Sequence, residues 1–292
     1  MIRSLLVLST LLAATASAAF AGEELRYLEE TSRQYLASQP ELRTYEVRVE
    51  TSKLQEMLQS MTANMPSDLP RPETPVLKKY WSRAAGRSTI RMETDQPFPY
   101  MAKMVRRFSD RYNIDLKTFF LPPEGGKARK SLLERATVTH FENRVEEARN
   151  LHISLEFTEP TDLGGAFFRE GLRLPQNDIL AMALDIDPEK KLLHRLEITT
   201  GAAGHYTVEI RHLHLETGHI PQDIRITTAD GNVDDRLVTT FAETDGFWLP
   251  SRQLRTLRRD DTEETMTVEF IDYRVNIKLP PGVRFGEGPQ AE

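Results

Sequence analysis

Between Val233 and Phe285 the chain reads as three alternating runs joined by short turns, and this stretch restricts the fold to an antiparallel sheet. Leu237, Thr239 and Phe241 alternate with polar neighbours, Asp245-Gly246 supplies a turn, and Phe247-Trp248-Leu249-Pro250 opens a return strand ending near Leu257. The charged residues from Arg258 to Glu264 are expected to form the next turn. A third strand is predicted from Thr265 to Val275, and Leu279-Pro280-Pro281-Gly282-Val283 closes the segment. A sheet with one apolar face needs a second layer over that face. The preceding chain is therefore expected to add strands to the sheet and helices to cover it.

Met1–Ala21 has one charge, Arg3, then an apolar run from Leu5 to Ala14 and the small residues Ala19-Phe20-Ala21. This is the pattern of a secretory leader cleaved near Ala21. The run is too short to span a bilayer, and no later stretch approaches the roughly 20 apolar residues a span requires. The mature chain is thus predicted to be exported to a bacterial periplasm and not to span a membrane. Cysteine is absent, which excludes disulfides, a thiol nucleophile and thiolate metal ligands. The formal charge of −6 is spread along the chain with both signs interspersed, so no basic face for nucleic acid is expected.

In chain order, Glu24 to Leu36 is predicted as an amphipathic helix with Leu25, Leu28, Ser32, Tyr35 and Leu36 on one stripe. Tyr45, Val47 and Val49 alternate with charged residues as a half-buried strand. Leu54, Met57, Leu58, Met61 and Met65 repeat at helical spacing. Pro66 to Pro75, with four prolines, reads as a connector. Strand-like pieces surround Tyr80-Trp81 and Ser88 to Met92, with a turn at Ala85-Gly86. A second methionine-bearing helix carries Met101, Met104, Val105, Phe108 and Tyr112, and a short helix runs from Ala128 to Ala136.

The period then becomes two, with Leu151, Ile153, Leu155 and Phe157 on one face. Glu159 to Gln176 reads as an irregular excursion and Asp178 to Leu184 as a short helix or strand. Leu192 to Thr200, Tyr206 to Glu216 and Ile220 to Thr228 form a meander. The apolar phase slips from Val208 and Ile210 to Leu213 and Leu215, which predicts a bulge near Arg211.

Three segments carry a family resemblance: Asp245-Gly246-Phe247-Trp248-Leu249-Pro250, then Val268 to Asn276, then Leu279-Pro280-Pro281-Gly282-Val283-Arg284-Phe285. With the element order they resemble the periplasmic lipoprotein-carrier superfamily, the LolA-like and LolB-like proteins. The resemblance implies an α+β fold. A strongly curved antiparallel sheet, an incomplete β-barrel, has helices covering its concave face, in a single half-barrel domain over 22–292 with insertions near 54–75 and 159–176. It also implies a carrier of a lipid or lipoprotein acyl moiety, and the alternative of an envelope sensor or assembly module with a protein partner. In the carriers an arginine just after an aromatic strand holds the lid helices closed, and Trp81-Ser82-Arg83 is the matching place.

The expected ligand-binding residues are Met57, Met61, Trp81, Arg83, Met101, Met104 and Phe108, since methionine and aromatic surfaces adapt to acyl chains. His205, His212, His214 and His219 are the one cluster of metal-ligand types, with no third group at a diagnostic offset, so no metal is expected. Carboxylate pairs such as Asp185/Asp187 and Asp234/Asp235 read as solvated turn residues. No G-x-S-x-G elbow, P-loop or G-x-G-x-x-G occurs. The sequence therefore predicts a non-enzymatic binding protein without catalytic residues or cofactor.

Overall fold

The computed structural model describes residues 22–34, 39–63, 75–85, 87–93, 120–145, 148–169, 172, 174–202, 204–216 and 218–285. Their strands are β1 (Thr44–Thr51), β2 (Val76–Ser82), β3 (Arg87–Glu93), β4 (Thr137–Val145), β5 (Ala148–Thr161), β6 (Ile179–Asp187), β7 (Leu192–Thr200), β8 (His205–Leu215), β9 (Gly218–Thr228), β10 (Val233–Thr244), β11 (Phe247–Arg259) and β12 (Thr262–Val275). The helices among them are α1 (22–34), α2 (Ser52–Thr62) and α3 (Gly126–Arg135), with a 3-10 turn at Pro123–Gly125. Hydrogen bonding orders the strands as β3-β2-β1-β12-β11-β10-β9-β8-β7-β6-β5-β4, an antiparallel sheet with β3 and β4 at its ends. The antiparallel sheet is as the alternation predicts.

Tight turns set the registers. Asp245 (φ 49°) and Gly246 (φ 80°) both sit in the left-handed region, which a two-residue hairpin demands and which Asp and Gly tolerate. The predicted turn from Arg258 to Glu264 is shorter in the structure, because β11 runs to Arg259 and β12 restarts at Thr262, with Asp260 at φ 51°. Threonine 51 ends β1 and caps α2 by accepting a bond from Leu54 N at 3.1 Å.

Packing falls into two compact units, one of residues up to 38 with 118–234 and one of 39–117 with 235–292. In the first, β5 to β9 present Leu151, Ile153, Leu155, Met182, Leu184, Leu196, Ile198, Val208 and Ile224 to a core shared with Leu28 of α1, Leu132 and Leu133 of α3, and Phe120, Phe167 and Phe168. The predicted excursion after β5 thus contributes buried aromatic residues, and Phe120 bridges Phe168 in backbone pairing. The opposite face carries a charge ladder: the register sets His152 beside Asp185, Asp185 beside Arg195, Arg195 beside Glu209 and Glu209 beside Arg225.

Arg129 of α3 is fully buried in this unit. Its Nη1 donates to the carbonyls of Pro122 at 2.8 Å and Ala166 at 2.7 Å, and its Nε and Nη2 donate to Glu29 Oε1 of α1 at 3.1 and 2.8 Å. A Cβ on Gly125 would lie 2.7 Å from Ala166 O and 3.0 Å from Arg129 Nη1. Glycine at that position is what lets the excursion approach the helix closely.

In the second unit β1, β2, β11 and β12 assemble Tyr45, Val47, Val49, Leu77, Trp81, Leu249, Met266, Val268 and Phe270, joined by Leu42. Between Glu46/Arg274 and Arg48/Ile271 the β1–β12 ladder shifts register, and Asp272 takes φ 58° to make the bulge.

Candidate functional site

Residues 45, 47 and 49 of β1 lie on one face, and the register sets Leu77 beside Val49, Lys79 beside Val47 and Trp81 beside Tyr45. On the other side of β1, Val49 pairs with Phe270 and Tyr45 with Val275. The result is an apolar strip three strands wide. Trp81 stacks on Tyr45 with centroids 5.5 Å apart and planes 13° apart, and Tyr273 meets Tyr45 edge-on at 5.5 Å. Tyr273 donates its hydroxyl to Pro250 O at 2.7 Å, and burial raises its pKa well above the ordinary phenol range.

Arg83 follows this strip directly. Its Nε donates to Leu42 O at 2.7 Å and its Nη2 donates to Gln39 O, while the guanidinium lies 5.6 Å from the Trp81 ring centre. Both carbonyls belong to the segment that leads into β1. The same segment is held at two further points. Gln39 pairs through its amide with the backbone of Trp248, donating to O at 2.9 Å and accepting from N at 2.5 Å. Asn276 accepts from Arg43 N at 2.7 Å and donates to Glu41 O at 3.1 Å. No sequence motif announces Gln39 or Asn276; their roles come from side-chain bonds to backbone groups 209 and 233 to 235 residues away.

Of the predicted site residues, Trp81 is buried in the strip and Arg83 sits at its end. Met57 is half-buried on α2, one turn after Leu54, which packs against the strip. Met61 also lies on α2. Met101, Met104 and Phe108 lie outside the described residues.

The second unit buries polar residues that the sequence does not announce. Lys79 is 2% exposed, with its ammonium 5.8 Å from the Phe270 ring centre. Asp235, expected to solvate a turn, is buried in β10, where both its oxygens accept from Arg255 of β11, the Nε–Oδ1 bond being 2.8 Å. Gln253 Nε2 donates to Thr239 Oγ1 at 3.3 Å in the same row. Asp185 is likewise engaged, accepting from Asn150 at 3.1 Å and lying 2.7 Å from His152 Nδ1. Asp234 and Asp235 are adjacent and so point to opposite faces of the strand, which lets Asp235 turn inward.

On the other face of β1 and β2, Lys78 bridges Glu46 at 3.1 Å and Glu93 at 2.8 Å, and Tyr80 donates to Glu93 at 2.8 Å. Burial, then the Glu93 bond, pushes the Tyr80 phenol up to about 12. A folded pKa above the unfolded value of about 10 gives stability that is complete below pH 10 and lost as pH rises through 12. Two pH units correspond to about 2–3 kcal/mol at full loss. Urea unfolding of Tyr80→Phe between pH 9 and 12 is expected to show a flatter alkaline decline than the parent; equal slopes contradict this.

Among the described residues no three His, Asp or Glu side chains are grouped to hold a metal ion, and no helix is long and apolar enough to cross a membrane.

No protein-family model matches the chain, and no curated protein matches it. Among solved structures it is similar to an outer membrane lipoprotein-sorting protein domain from Vibrio parahaemolyticus, at 8% identity and TM-score 0.33, over 87% of this chain and 94% of that one. It is also similar to a DUF1329 family protein from Desulfovibrio piger, at 7% identity and TM-score 0.29, over 88% and 95%. A third likeness is to one chain of the complex structure of Pseudomonas aeruginosa MucA/MucB, at 10% identity and TM-score 0.21, over 88% of this chain and 99% of that one.

Proposed function

We propose that the chain is an exported, non-enzymatic carrier that holds the acyl moiety of a lipid or lipoprotein in the periplasm, on the apolar face of a curved sheet and beneath helices. The leader Met1–Ala21 is removed in this reading. The observation that supports it most is the position of Arg83, whose guanidinium ties the Gln39 and Leu42 carbonyls at the edge of the Tyr45–Trp81 strip. Such a clasp releases an apolar guest when its bonds break. An acceptor that buries the same apolar area better then takes the guest, at about 25 cal/mol per Å².

Arg83→Leu tests the clasp. Two charge-assisted bonds are lost, each of about 1.5–3 kcal/mol, so release of a fluorescent fatty acid from the loaded protein is expected to accelerate about tenfold or more. Loading and release identical to the parent contradict the role given to Arg83.

One observation favours a second reading, an envelope sensor or assembly module that binds a protein partner. Strand β4 ends the strand order, and Phe141 on it is 51% exposed, lying 4.9 Å from the His152 ring. An exposed aromatic on a terminal strand is a natural anchor for an added strand. A specific polypeptide that co-purifies in place of lipid, and is lost in Phe141→Ser, supports this reading over the carrier.

A further inference from the structure

The histidines at the far ends of β8 and β9 are not used by the carrier reading. The β8–β9 ladder sets Arg211 beside Asp223 and His212 beside Pro221, so the extra residue is Gln222 on β9, not a residue of β8 as the phase slip suggests. Strand β8 therefore runs without interruption through His212 and His214, which share a face. His214 is directly opposite His219, and directly opposed residues in an antiparallel pair also share a face. Their ring centres lie 4.7 Å apart with planes 41° apart. On β7, His194 stands edge-on to His212 at 5.7 Å, and its Nε2 is 3.9 Å from Asp187 Oδ2.

The spacing of the cross-strand pair can be compared with chelation. A zinc–imidazole nitrogen bond is about 2.0–2.1 Å, which puts a ring centre about 3.1–3.2 Å from the ion, and two ligands at a tetrahedral angle then have centres about 5 Å apart. His214 and His219 already sit within a few tenths of an ångström of that value. Both backbones are held by the ladder on either side, so little ordering is needed when an ion arrives.

We propose that His214 and His219 are a chelating pair for one divalent transition-metal ion of the zinc, copper or nickel class, with water completing its coordination. Imidazole suits these ions, while an all-oxygen site would select calcium or magnesium. Asp187 places a negative charge beside the histidine row. The site stands on its own geometry and does not depend on the carrier reading.

Isothermal titration of the purified protein with ZnCl2, and separately NiCl2, tests the pair. The expected result is one saturable equivalent, weakened about tenfold or more by His214→Ala and equally by His219→Ala. His205→Ala is the control, since His205 lies at the other end of β8 with Nδ1 3.1 Å from Thr199 Oγ1, and it is expected to leave binding unchanged. Titration with CaCl2 is expected to give no saturable heat. Absence of a saturable zinc or nickel site, or a site unaffected by the His214→Ala, His219→Ala double variant, overturns the proposal. Circular dichroism of each variant separates loss of ligand from loss of fold: a folded variant that no longer binds supports the pair, and a folded double variant that still binds overturns it.

Discussion

Replacing Arg129 by Met is expected to destabilise the protein by about 3–5 kcal/mol, the range found when one partner of a buried ionic network is removed. That is a large part of the roughly 5–15 kcal/mol that holds a typical domain folded. The guanidinium is fully buried and joins three separate pieces of chain: Glu29 on α1, the Pro122 carbonyl before α3, and the Ala166 carbonyl of the excursion. Without it two buried carbonyls lose their donors, at about 1–3 kcal/mol each. Arg129→Lys keeps the charge but cannot fork to three acceptors, so it should fall between the parent and Met. Urea midpoints at constant slope check the order. A Lys variant no better than Met shows that planar geometry carries the whole effect, and a Met variant within 1 kcal/mol of the parent contradicts the role given to the residue.

The second large effect concerns Arg255 and Asp235, whose side chains are only 7% and 5% exposed. Arg255→Met leaves the buried Asp235 carboxylate without its partner and is expected to cost about 3–5 kcal/mol. Adding Asp235→Leu should restore much of that loss, because an apolar pair of similar volume replaces both charges at once. The signature is a double variant more stable than Arg255→Met alone. If the two single losses simply add in the double variant, the side chains are not coupled and the buried pair is not what stabilises β10 against β11.

How much of this was legible in the sequence depends on which face of each strand carried the signal. Strand β5 alternates apolar and polar residues cleanly, and Leu151, Ile153 and Leu155 point inward as their spacing says. Strand β4 has no apolar alternation to reveal it, because the positions paired with Leu155, Ile153 and Leu151 are Val138, His140 and the exposed Glu142. His140 is accommodated there by Glu24 of α1, which is buried against it. That contact joins residues 116 apart and leaves no local pattern. The same holds for α1, whose inward stripe is Glu24, Leu28, Thr31 and Ser32, rotated from the predicted Leu25, Leu28 and Ser32 toward two polar residues. Ser32 bonds Leu121 O at 2.6 Å, another tertiary contact no helical period reveals.

Trp81 and Arg83 are singled out by a resemblance in sequence order, and the structure adds the hydrogen-bond partners of Arg83. Lys79, Asp235 and Arg255 were missed because a charged residue in a strand reads as solvated unless its partner is known. The bulge beside Arg211 was located within one residue but assigned to the wrong strand, since a phase slip records that a register breaks and not which strand holds the extra residue.

The carrier reading meets its most direct test in the protein as its host makes it. The protein is purified without detergent, extracted with organic solvent, and the extract weighed by mass spectrometry against the amount of chain. The account predicts an acyl-bearing lipid or lipoprotein in about a one-to-one ratio with the chain, reduced in Arg83→Leu. A folded protein that emerges free of any acyl compound contradicts it.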